Sequence, residues 1–146
     1  MDGEKMSNDT RTRIVKGNAR STGTMQATVT IDNTPGTDFV ADFVWYGRLQ
    51  DSVHLYGDQG TAPNPTAIEA ALQAGTPSGK YQLGDAELRV LDFYTLDSST
   101  PWITREGHVE VTFSPDGKRA EGTMFIKAIR ERKTLTASVK FDMKNL

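Results

Sequence analysis

The clearest regularity along the chain is a period of two. Met25, Ala27, Val29 and Ile31 alternate with Gln26, Thr28, Thr30 and Asp32. Alternation rich in β-branched residues predicts a half-buried strand. Asn33-Thr34-Pro35-Gly36 follows as a turn cluster. From Phe39 to Tyr46 both parities are largely apolar, so this strand is expected to be central or covered on two sides. Val53-His54-Leu55-Tyr56 predicts a further short strand. Residues 80–83 and 87–95 read as strands parted near Gly84-Asp85. Leu88, Val90, Leu91 and Phe93 fit no single face, which points to a bulge or to burial on both sides. The plainest hairpin comes next. Val109, Val111 and Phe113 lead into Ser114-Pro115-Asp116-Gly117, and Ala120, Gly122, Met124, Ile126 and Ala128 return. After the charged turn Arg130-Glu131-Arg132-Lys133, Leu135, Ala137, Val139, Phe141 and Met143 define the last strand.

One segment carries a different signal. Ile68, Ala71 and Leu72 form a stripe at helical spacing between Pro65 and Ala74. Asn64 suits the N-cap, Pro65 the first turn and Gly75 the left-handed C-terminal position. The spacing predicts one short helix over 65–74, too short to stand alone in water and therefore packed on a sheet. The expected fold is all-β and mainly antiparallel: a β-sandwich of seven or eight strands plus that helix, with a flattened β-barrel as the alternative. No βαβ rhythm supports a parallel doubly wound sheet. Residues 1–12 read as a flexible tail, 13–16 as a short edge strand, and 13–146 as a single domain, which 146 residues suit.

Composition removes several classes of chemistry. The absence of cysteine excludes disulfides, zinc–thiolate sites and thiol nucleophiles. Net charge is -2, and the balance is uneven along the chain. Residues 34–100 carry three basic and nine acidic groups, whereas 101–146 carry nine basic and six acidic. A nucleic-acid binder usually shows a basic excess, so no nucleic-acid partner is expected. No apolar run approaches the ~20 residues of a membrane-spanning helix. The first residues lack the apolar stretch of a signal peptide, so the chain reads as cytoplasmic. The periplasm or secretion stays open if a leader has been removed.

Candidate chemistry is sparse. His54 and His108 are the only histidines. With Asp51, Asp58 or Glu106 they have the residue types of a two-His, one-carboxylate metal site, but no H-x-H or H-E-x-x-H spacing. The types of a serine triad are present without a G-x-S-x-G elbow. Asp42, set in an apolar strand, reads either as a buried carboxylate with a raised pKa or as an edge charge that blocks pairing. Trp45, Tyr46, Tyr56, Tyr94 and Trp102 offer stacking surfaces, and Trp102, after Pro101 in a loop, is the one expected to be exposed. Lys127, Arg130, Arg132 and Lys133 form a basic hairpin tip suited to solvent or to an anionic partner.

Gly79-Lys80-Tyr81-Gln82-Leu83, Gly107-His108-Val109-Glu110-Val111-Thr112-Phe113 and Gly122-Thr123-Met124-Phe125-Ile126 follow a glycine, strand, turn rhythm that ends in an alternating strand. Over Gly79–Leu146, under half of the chain, this resembles small all-β bacterial proteins of unknown function. The resemblance implies a fold and no catalytic residues.

These features lead to the expectation of a non-enzymatic binding or protein-interaction module. Its candidate ligand-binding residues are Tyr56, Asp51, Asp58 and Trp102, the first three placed on loops of the acidic middle. No catalytic residue, cofactor or metal is expected. The partner is an unidentified protein or small molecule, and edge strands offer a route to a homodimer. A lipocalin-like carrier is the first alternative, and a small hydrolase or metal-dependent enzyme using His54 or His108 the second.

Overall fold

The structure, a computed structural model, describes residues 21–36, 38–60, 66–95 and 100–145. The expected tail, the edge strand at 13–16, the Asn64–Pro65 helix start and loop residues 97–99 lie outside them. The strands are β1 (Ser21–Ile31), β2 (Thr34–Pro35), β3 (Phe39–Val40), β4 (Phe43–Leu49), β5 (Ser52–Gln59), β6 (Thr66–Gln73), β7 (Gly79–Gln82), β8 (Leu88–Thr95), β9 (Ile103–Phe113), β10 (Arg119–Arg130) and β11 (Lys133–Asn145). One antiparallel sheet runs β2-β1-β11-β10-β9-β7, with β3 also paired to β1, and the other runs β4-β5-β6-β8. The fold is therefore an all-β sandwich, and the sheets do not close into the alternative barrel. No helix among the described residues is long and apolar enough to cross a membrane.

The helix expected at 65–74 is replaced by strand β6. Its residues pair with β5 from Ser52↔Gln73 to Gln59↔Thr66, and with β8 from Thr66↔Thr95 to Leu72↔Leu88. A short apolar run is ambiguous between helix and buried strand. Here ladders on both sides pair the run, and Ala67 to Leu72 are buried whichever face they point to. Helical propensity of the alanines is overridden by that tertiary context.

Other boundaries shift for related reasons. The single strand expected over 39–46 divides, because the chain changes sheets between two residues. Ala41 N–H donates to Met25 O (2.9 Å) in the large sheet, and Asp42 N–H donates to Asp58 O (2.8 Å) in the small one. Asp42 is exposed at this step, and its carboxylate accepts from Gly60 N–H at 2.8 Å, so it is not a buried acid. This division and the extra strands β2 and β6 raise the strand count above seven or eight. The first turn lies one residue earlier than the proline suggests. Asp32 and Asn33 both have positive φ (52° and 62°) between the paired Ile31 and Thr34, the geometry of a two-residue hairpin turn.

Small residues on the inner faces let the sheets interlock. A Cβ placed on Gly57 of β5 would lie 2.8 Å from Met25 Sδ of β1. One on Gly107 of β9 would lie 2.6 Å from Leu91 Cδ2 of β8. Between them pack Val109, Ile126, Ala137 and Met143 from the large sheet and Leu55, Ile68 and Leu72 from the small one, all fully buried. Trp102 joins this core at 5% exposure, with the Arg130 guanidinium 4.4 Å above its ring. The expectation of an exposed Trp102 is thus corrected: the loop residue caps the end of the sandwich.

Candidate functional site

Strand parity brings the acidic and aromatic residues of the small sheet to its outer face. Register places Trp45, Tyr56, Glu69 and Asp92 in one row across β4, β5, β6 and β8. Phe43, Asp58, Ala67 and Tyr94 form the next row. Glu69 is 5% exposed and Asp58 3%, unusual for charged groups. Each has polar company. His54 Nδ1 lies 2.8 Å from Glu69 Oε2, and Tyr56 Oη donates to Asp58 Oδ2 at 3.0 Å. Tyr94 Oη stands between two carboxylates, 3.3 Å from Glu69 Oε1 and 3.2 Å from Asp92 Oδ2. Thr104 Oγ1 reaches Asp92 Oδ1 at 3.3 Å. Burial raises the Asp92 pKa; the hydrogen bonds from Tyr94 and Thr104 oppose the rise, and the neighbouring Glu69 adds to it. Burial also holds the Tyr94 phenol protonated far above its ordinary range, with Glu69 and Asp92 reinforcing the effect. Trp45 lies 5.8 Å from the His54 ring, over Gly47, where a Cβ would meet the indole at 2.6 Å. Its Nε1 is buried and has no hydrogen-bond partner among the described residues.

The outer face of the large sheet is different in kind. It is open, polar and rich in hydroxyls. Thr28, Ser138, Phe125 and His108 form one row across β1, β11, β10 and β9. Gln26, Lys140 and Thr123 form the row beside it. Together with Asp38 and Val40 at the β1 edge, these residues line a groove of about 650 Å³. Two smaller grooves continue along the same face, around Thr112 and Asp142 at one end and Thr30 and Thr136 at the other. The rings of His108 and Phe125 are stacked, with centroids 5.9 Å apart and planes at 30°.

No family model, curated protein or solved structure matches this chain. The functional reading therefore rests on the geometry of these two faces.

The four sequence-predicted site residues do not converge. Tyr56 and Asp58 do meet, but as buried neighbours on β5 rather than on loops. Asp51 is exposed in the β4–β5 turn, where Arg89 Nη1 donates to its Oδ1 at 2.7 Å and holds its pKa low. Trp102 belongs to the core. His54 and His108 fall in different sheets, and no cluster of three or more potential metal ligands occurs among the described residues. At the basic hairpin tip Lys127 pairs with Glu106 at 3.4 Å, Arg130 covers Trp102, and Arg132 and Lys133 are exposed.

Sequence reasoning missed Glu69 and Asp92. Each is a lone acid in an apolar run, between Ile68 and Ala70 and between Leu91 and Phe93 respectively. A period-two reading of 66–73 would have set Glu69 opposite Ile68 and Ala70, and so beside His54.

Proposed function

We propose that this chain is a non-enzymatic binding module that holds its ligand against the outer face of the large sheet. The groove floored by His108, Phe125, Thr123 and Ser138 carries this reading. It combines a ring platform with exposed donors and acceptors on rigid strands, the usual construction of a recognition site. The acidic middle is a weaker candidate surface, because Asp58 is buried and Asp51 is already paired. A lipocalin-like carrier needs a closed barrel around its ligand, and the two sheets here stay open.

Amide NMR spectra of the ¹⁵N-labelled protein with a mixture of small polar fragments test the reading. Shifts gathered on Thr28, Thr123, Phe125 and Ser138 are expected. Shifts gathered instead around His54, Glu69 and Asp92, or scattered without a focus, overturn it.

One observation favours a second reading, a small hydrolase: the His54–Glu69 contact at 2.8 Å has the form of a base and its orienting acid. Turnover of p-nitrophenyl acetate that persists after His54→Ala and His108→Ala ends that reading.

A further inference from the structure

We infer that the groove on the large sheet takes a neutral oligosaccharide. The inference rests on the proposed reading that a ligand lies on this face, and it names the chemical class.

The first support is shape. A pyranose presents an apolar C–H face and a rim of hydroxyls. The groove presents the matching pair of features. Phe125, paired ring to ring with His108, gives a partly exposed apolar aromatic surface in mid-sheet. Around it stand an amide (Gln26), hydroxyls (Thr28, Thr123, Ser138) and a carboxylate (Asp38). Hydroxyls and amides donate and accept, and a carboxylate accepts from two donors at once, which suits neighbouring sugar hydroxyls. Among the described residues, these side chains hydrogen-bond to no other protein group, so their capacity faces outward.

The second support is charge. Lys140 and Asp38 are the fully charged side chains among the described residues lining the groove, one of each sign. Single-stranded nucleic acid and other polyanions need a positive track beside the rings. This groove does not provide one. A long apolar ligand would find little beyond Phe125 and Val40.

The third support is length. The row from His108 to Thr28 crosses four neighbouring strands, which is roughly 14 Å at the ordinary strand spacing. The smaller grooves extend the face in both directions along the strands. An extended chain of sugars fits this form better than a single compact ligand.

The test is amide NMR titration of the full chain with cellohexaose, laminarihexaose, maltohexaose and N-acetylchitohexaose, alongside inorganic phosphate and octathymidylate. Saturable shifts at Thr28, Thr123, Phe125 and Ser138 are expected with at least one neutral sugar. Phe125→Ala should weaken that binding about tenfold, the loss of one stacking contact. Thr123→Arg, which fills the floor from an exposed position, should abolish it. Retained spectral dispersion shows that each variant is folded. Groove shifts with phosphate or octathymidylate alone overturn the neutral-sugar class and leave the groove reading intact. Sugar binding that is indifferent to both substitutions overturns the site. Absence of groove shifts with every sugar overturns the inference, and the fragment experiment then decides whether the face binds anything.

Discussion

Asp92 sits on β8 between Leu91 and Phe93, facing away from the core and toward Glu69 across the ladder. Its pKa is raised, chiefly by burial and also by Glu69. A carboxyl whose folded pKa lies above its unfolded value adds stability in the acid range. That contribution is complete below the unfolded pKa and is lost as pH rises through the folded one. At neutral pH the charged form is therefore a cost. Asp92→Asn keeps the shape and can still accept from Tyr94 or Thr104. It should raise Tm at pH 7 by ~3 °C, about what 1 kcal/mol produces in a domain of this size, and should change Tm little at pH 4. Thermal unfolding across pH 4–8 reads both limbs. The acid limb belongs to other groups. Asp51, Asp116 and Asp142 have lowered pKa values, first through side-chain hydrogen bonds from Arg89, Ser114 and Arg119 respectively, so their contributions are lost as pH falls through their folded values. Tyr94→Phe acts in the opposite sense to Asp92→Asn. It removes the hydroxyl that stands between Glu69 and Asp92 and leaves two carboxylates facing each other. A loss of about 1–2 kcal/mol in urea unfolding is expected, larger at pH 7 than at pH 4.

Elements differed in how legible they were. β1, β9, β10 and β11 each have one face on the core and one on solvent, so hydrophobicity alternates and the strands could be read directly from residues such as Leu135, Ala137 and Val139. β6 is buried on both faces, so its alternation disappears, and Ala, Ile and Leu at mixed spacing imitate a helix. The candidate site suffered from the same cause: misreading β6 hid the position of Glu69, and with it the row that joins Tyr56 to Asp92. The groove was hidden for another reason. Its residues are ordinary polar positions of readable strands, and only cross-strand register brings Thr28, Ser138, Phe125 and His108 together. The glycines were legible as breaks in the pattern but not as spacers. Gly107 and Gly57 separate two kinds of close approach. A Cβ on Gly57 would meet Met25 Sδ most closely, which can swing aside, with Ala41 Cβ and Met25 Cβ next at 3.1 and 3.2 Å, whereas one on Gly107 would meet Leu91 and the Phe125 carbonyl oxygen, which is held in the ladder. Gly107→Ala should therefore cost about 2–3 kcal/mol, and Gly57→Ala about 1 kcal/mol, in equilibrium denaturation. Equal costs at the two sites would show that side-chain give is not what distinguishes them.

At the scale of the whole molecule the open question is where a sandwich with free edges stops pairing. Among the described residues the small sheet ends at β4 and β8, and a bare edge invites a second copy. β4 is protected at its middle by the other sheet. Ser21 and Asn145 face each other at the ends of β1 and β11. Tyr46 N–H donates to Ser21 Oγ at 2.9 Å. Tyr46 C=O accepts from Ser21 Oγ at 3.1 Å and from Asn145 Nδ2 at 2.9 Å. The same tyrosine sends its hydroxyl to the Gly117 carbonyl in the β9–β10 turn, so one residue ties the edge strand to the end of the large sheet where β1, β11 and that turn meet. Two side chains thus take the place that a neighbouring strand would occupy. Ser21→Ala with Asn145→Ala removes both and leaves the Tyr46 backbone groups half-buried and unmatched. The double variant should lose about 2–3 kcal/mol of stability, one backbone donor and one acceptor left without partners. It should also shift toward dimer in sedimentation velocity at concentrations where the parent sediments as one species. Loss of stability with unchanged sedimentation would mean that the two residues only fasten the sheets together and that some other feature of β4 keeps a second chain away.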